Sequence, residues 1–202
     1  MPIDFSNPTV VAVLAIVVLA IMIAIAVIWY RRSTAMRLRK RFGSEYERAV
    51  LEQGSERKAE EVLADRETRV RKLKLRELGA VQRDRFAEDW NTVQARFVDH
   101  PKGALIEADE LVTALMQARG YPVTGFEESV DDISVNYPRV TENYRSAHTV
   151  AVLSARGQVS TEELRTAMIQ YRNLFDEILK TDSSVESSHS WPVAHATTRS
   201  IR

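Results

Sequence analysis

Few side chains in this sequence are of a type and spacing that could carry chemistry. The four histidines are His100, His148, His189 and His195, and no pair of them has the i, i+3 or i, i+4 spacing with a carboxylate that a zinc site needs. Glu127-Glu128 and Asp131-Asp132 are paired acids, but neighbours along a chain need not converge on one point, and solvation at a surface is the expectation for them. The basic run from Arg69 to Arg76 could touch nucleic acid, yet acids flank it on both sides, which fits a solvated helix face. Ser160 with Glu163 reads as a helix cap and not as a nucleophile. No phosphate-cradling glycine loop, dinucleotide fingerprint or nucleophile elbow occurs. With Cys 0, thiol nucleophiles, disulfides and iron–sulfur ligation are excluded. The stretch RGYPVTGFE is the most distinctive local chemistry, and it reads as a helix stop plus a tight turn anchored by Tyr121 and Phe126. The expectation is therefore a protein without catalytic residues, without a metal or cofactor, and without an evident small-molecule substrate.

The charges are distributed unevenly. The formal net charge is +0, but residues 31–41 hold six basic residues and no acid: Arg31, Arg32, Arg37, Arg39, Lys40 and Arg41. Residues 42–180 hold 20 Lys/Arg against 25 Asp/Glu, a net of −5. A nucleic-acid binder spreads its basic excess over its folded part; this chain does not, so nucleic acid is not an expected partner.

Before the basic collar lies TVVAVLAIVVLAIMIAIAVIWY, residues 9–30, without a charge. About 20 apolar residues at 1.5 Å each span the hydrocarbon layer, and lipid forces the backbone to bond within itself as a helix. Trp29 and Tyr30 close the run as aromatic anchors for the headgroup level. A cleaved signal peptide is the rival reading. It would begin with a basic segment and have a shorter apolar core, whereas MPIDFSNP carries Asp4 and no basic residue. By the positive-inside rule, residues 1–8 face outward and residues 31–202 face the cytoplasm, the expected location being the cell's inner (plasma) membrane. The collar can also contact anionic lipid headgroups. Ala20 and Ala24, with Ala12 and Ala15 further out, form a small-residue face on which a partner helix could pack closely. No His, Asp, Glu, Lys or Arg lies within the run, which argues against an ion path or proton relay.

The remainder reads as all-α. Ser44 with Glu47 suggests a capping box opening a short helix toward Gly54. A long charged helix follows over about 56–98, its thin stripe being Ala59, Val62, Leu63, Val70 and Leu73, then Phe86, Trp90, Val93 and Phe97. Asp99 and Pro101 start a helix to about 118, stopped by Gly120. Phe126, Val130 and Ile133 suggest a brief helix, with ISVN open to an extended alternative. Pro138 opens a helix with the face Val140, Tyr144, Ala147, Ala151 and Ser154, ended by Gly157. The Ser160/Glu163 box leads the last helix to about 180, and residues 181–202 are a Ser/Thr-rich tail expected to be disordered unless a partner holds it. The expected organisation is a membrane helix (9–30), a basic collar (31–43), a short and a long helix (44–98) and a small helical bundle (99–180).

The phrases FVDHPKGALIEADELVTALMQARGYPV, ISVNYPRVTENYRSAH and STEELRTAMIQYRNLFDEIL resemble those of an uncharacterised family of bacterial single-pass membrane proteins with a cytoplasmic helical domain. The resemblance spans about residues 36–180. It implies topology and fold and carries no activity or functional residues. Three functions remain in contention. An accessory subunit of a larger integral-membrane complex, photosynthetic or respiratory, would pack α-helically on other membrane subunits. An independent membrane-tethered adaptor or regulator is the alternative, and a tethered enzyme comes third.

Overall fold

The computed structural model describes residues 8–186, with side-chain surroundings for all of these except 8–13, 31 and 181–186. Every regular element among the described residues is a helix. The chain divides into two compact units, residues 1–65 and 66–202.

In the first unit, α1 runs from Pro8 to Phe42. Pro8 occupies its first turn, where a missing N–H leaves no bond unmade. The helix does not stop at Tyr30. Arg and Lys propagate a helix well, so the basic collar forms the last three or so turns of the same rod. Gly43 ends it with φ 55, a conformation that favours glycine. The next helix, α2 (Ser44–Gln53), starts at once. Here the expected Ser44/Glu47 capping box is corrected: Gly43 is the cap and no side chain bonds there. A serine cap needs an extended residue before the helix, and the abrupt turn at Gly43 leaves none. Gly54, φ 66, closes α2 by giving its N–H to Val50 O at 2.9 Å. Leu38 and Phe42 of α1, Tyr46 and Ala49 of α2, and Ala59 and Leu63 of α3 (Glu56–Lys72) are buried. These positions recur every three or four residues, the spacing of one helical face.

The long helix expected over 56–98 is two helices, α3 and α4 (Ala80–Arg96), separated by an irregular segment at 73–79. The cause lies more than forty residues away. Arg76 N–H donates to Arg119 O at 2.9 Å, and Leu78 is buried. Gly120, at φ 92, approaches so closely that an added Cβ would stand 2.8 Å from Lys74 O. Pairing with the end of α5 replaces the helical bonds that local propensity would have made. Gly79 then caps α4, and its N–H meets Gln82 Oε1 at 3.4 Å.

The second unit continues with α5 (Pro101–Ala118), α6 (Phe126–Ser134), α7 (Pro138–Ser154) and α8 (Thr161–Glu186). Pro101 and Pro138 stand in the first turns of their helices. The ISVN stretch is helical and then turning: Tyr137 N–H donates to Ile133 O at 2.8 Å. The second capping box forms as its residues imply, with Ser160 N–H donating to Glu163 Oε2 at 2.8 Å and Glu163 N–H to Ser160 Oγ at 3.3 Å. The Ser160 hydroxyl also donates to Glu163 Oε2 at 2.6 Å, and that bond, then the Ser160 N–H, holds the Glu163 carboxyl below its ordinary range. Helix α8 passes Lys180, so its last six residues belong to what reads as tail. Residues 187–202, including His189 and His195, and residues 1–7 lie outside the described part.

Helix α8 packs against α5 and α7, α4 against α5, and α6 against α7. Leu105, Leu115, Met116, Ile133, Leu164, Leu174 and Ile178 are almost wholly buried. Each such side chain contributes on the order of 1.5–3 kcal/mol. Trp90 of α4 stacks on Phe175 of α8, rings 4.8 Å apart and inclined by 25°.

Candidate functional site

Four features could do work beyond holding the fold. The first is the surface of α1. Within it Leu14–Phe42 is, among the described residues, the one stretch long and apolar enough to cross a membrane, and its apolar window is wholly unburied. Ala20 and Ala24 lie one turn apart and are exposed. Trp29 and Tyr30 are 74% and 71% exposed. Of the collar, Arg32, Arg37, Arg39, Lys40 and Arg41 are exposed; the Arg31 side chain is outside the description. The Arg39 guanidinium sits over the Tyr46 ring, 5.3 Å from its centre. Tyr46 in turn donates to Glu60 Oε1 at 3.2 Å, and burial together with the charge of Glu60 raises its phenol above the ordinary value.

The second feature corrects two expectations at once. The paired acids and the basic run do not all point to solvent. Asp132 is fully buried and accepts from Arg69 Nε at 2.6 Å. Asp131 takes Arg66 at 2.8 Å and Arg145 at 3.4 Å, and Arg145 also reaches Glu127 at 2.6 Å. Side chains of α3, α6 and α7 thus converge on one ion network. Burial pushes the Asp132 carboxyl up, opposed by the Arg69 bond and charge. The helical spacing of Arg66 and Arg69 on the stripe side of α3 was a readable hint. Their partners, 63 residues on in the case of Arg69, were not.

A cavity of about 140 Å³ is the third feature, lined by Asp109, Thr113, Phe126, Ser129, Tyr144 and His148 among others. Asp109 and Thr113 are one turn apart on α5, as Tyr144 and His148 are on α7. Asp109 Oδ1 accepts from the Tyr171 hydroxyl at 2.9 Å and stands 3.3 Å from His148 Nδ1. The His148 imidazole stacks on Phe126 at 3.7 Å and 12°. Burial, and secondly the Asp109 charge, push the Tyr144 and Tyr171 phenols well above their ordinary value, so both remain hydroxyl groups. Tyr121 lies apart from this group; burial raises it to about 12, and it accepts from Asn136 Nδ2 at 2.7 Å. The sequence placed His148 on a helix without a partner. A carboxylate at 109, amid the apolar face of Ala104, Ala108, Val112 and Leu115, was the signal that a polar partner would meet it.

The fourth is an open groove of about 340 Å³ at the α4–α5 junction and the start of α8. Its lining includes Trp90, Phe97, Val98, Met168 and Ile169, with Arg165 and Arg172 also contributing. Val98 and Ile169 are exposed, and the buried Trp90 Nε1 has no acceptor among the described residues. His100, at the same junction, is exposed and caps α5 through its backbone.

No protein-family model matches the chain, and neither the curated proteins nor the solved structures hold a match to it.

Proposed function

We propose that the chain is a single-pass inner-membrane protein, N-terminus outside, acting as a non-catalytic accessory subunit of a larger integral-membrane complex. The observation that carries the reading is α1: an apolar rod with no buried window, ended by Trp29 and Tyr30 and continued by an exposed basic collar. Exposing so much contiguous apolar surface to water is unfavourable, whereas lipid or a neighbouring helix covers it. The Ala20/Ala24 face is narrow enough for a neighbouring helix to approach, and the collar meets anionic headgroups on the cytoplasmic side. The open groove with exposed Val98 and Ile169 provides an apolar surface by which the helical domain can grip a partner.

The test is purification of the tagged full chain from native membranes in mild detergent, followed by native sizing and mass spectrometry. Stoichiometric membrane-protein companions that persist through a salt wash are expected. Recovery of a lone monomer or homodimer would overturn the subunit role and favour a membrane-tethered adaptor, whose contacts run through the groove alone. Enlarging Ala20 and Ala24 to Leu separates the two: it releases the companions of a subunit and leaves an adaptor's partner bound.

A further inference from the structure

The cavity around Asp109 differs from the α3–α6–α7 ion network. In the α3–α6–α7 network each aspartate meets an arginine. Among the described residues Asp109 meets only a phenol and an imidazole, and both contact the same oxygen, Oδ1. Among the described residues its Oδ2 meets no partner, and its side chain is about a quarter exposed (24%). No lysine or arginine lines the cavity. The walls are instead aromatic and small: Phe126 and Tyr144 with ring centres 5.2 Å apart, His148 against Phe126, and Thr113, Ser129 and Gly125 between them. The negative faces of aromatic rings attract cations, and the carboxylate adds a full charge with an acceptor to spare.

Neither an anion nor a metal ion suits this lining. An anion would face the Asp109 charge with no lysine or arginine in the lining to offset it. A divalent metal needs several hard oxygen or nitrogen ligands, and among the described residues no group of three His, Cys, Asp or Glu side chains could hold one. The volume, about 140 Å³, is close to that of an engineered cavity of roughly 150 Å³ that admits benzene. We propose that this cavity binds a small alkylammonium cation, its charge on Asp109 Oδ2 and its alkyl body against Phe126, Tyr144 and His148. Tyr171 and His148 then act as positioning residues, holding the carboxylate through Oδ1 so that Oδ2 is presented. This inference is independent of the subunit reading.

The experiment is ligand-observed saturation-transfer NMR on the full chain in detergent micelles, with tert-butylammonium chloride as probe and tert-butanol as its neutral counterpart of the same shape. A saturable signal is expected for the cation and not for the alcohol. In Asp109→Asn the shape and the Tyr171 bond can persist while the charge is lost, and binding should fall by roughly tenfold, the loss of one charge-assisted hydrogen bond. Circular dichroism checks that this variant keeps its helicity; should it not, the contrast between cation and alcohol in the wild-type chain decides alone. Equal signals from the two probes, no signal from either, or undiminished binding of the cation to a folded Asp109→Asn protein would each overturn the proposal and leave a water-filled space.

Discussion

Two sets of arginines carry opposite lessons. Those of the collar, Arg32, Arg37, Arg39 and Arg41, are exposed on the last turns of α1. Arg66 and Arg145 in the second unit are buried, with side chains 9% and 8% exposed, and are matched to Asp131 and Glu127. A guanidinium is not driven inward by its own chemistry; removing it from water is costly unless a carboxylate is waiting. Those collar arginines remain at the surface of their helix. Acids on α6 lie within reach of α3 and α7, and there the same side chain becomes an internal fastening. Arginine content therefore says little by itself. What decides is which acids the fold delivers.

Removing one side of a buried pair should give the largest effect. Arg69→Ala leaves Asp132, fully buried, without its cation. Since Arg69 itself is 41% exposed, the loss should fall at the lower end of the usual range, about 3 kcal/mol at neutral pH, read as a lowered urea midpoint. Its pH dependence has a definite sign. Folding raises the Asp132 carboxyl above its ordinary range, chiefly by burial. The fold therefore favours the neutral acid: that contribution is full below the unfolded value and is lost as pH rises through the folded one. The penalty of Arg69→Ala should accordingly shrink toward acid pH, and Asp132→Asn should flatten the slope. A penalty independent of pH would break the account of Asp132.

Gly120→Ala should rank second, at about 2 kcal/mol, because it combines φ 92 with a Cβ 2.8 Å from Lys74 O. A thermal midpoint unchanged by this substitution would mean that residues 73–79 do not depend on their approach to Gly120. Ser160→Ala, at the start of α8, should cost about 1 kcal/mol by removing an exposed cap. The Glu163 carboxyl is lowered by the same serine, so the cap should weaken as pH falls through the folded value of Glu163. The smallest effect belongs to the collar. Replacing Arg32, Arg37, Arg39, Lys40 and Arg41 together by Gln should shift the unfolding of the second unit by no more than about 0.5 kcal/mol. A large destabilisation there would erase the distinction between the two sets.

Local signals were legible wherever a residue's effect acts within a few positions. The charge-free run 9–30, Pro101, Pro138, Gly120, Gly157 and the Ser160/Glu163 pair all act through backbone bonds or solvent exposure close by. They place the apolar part of α1, α5, α7 and the start of α8 from the sequence alone. Ser44/Glu47 misled because the same two residue types also fit inside a helix that Gly43 has already begun.

Where partners come from far along the chain, the sequence was silent. A continuous helix over 56–98 satisfies local propensity; the bond from Arg76 to Arg119 O and the burial of Leu78 break it. Asp109, Tyr171 and His148 are separated by tens of residues, and only the packing of α5, α7 and α8 brings them to one carboxylate oxygen. Sequence by itself determined the class of the fold, the starts of α5, α7 and α8 and the membrane-length apolar segment, since those follow from short-range hydrogen bonding and hydrophobic patterning. Tertiary structure decided which charges are buried and where a cavity forms, because desolvation and pairing depend on neighbours that the chain supplies only once it is folded.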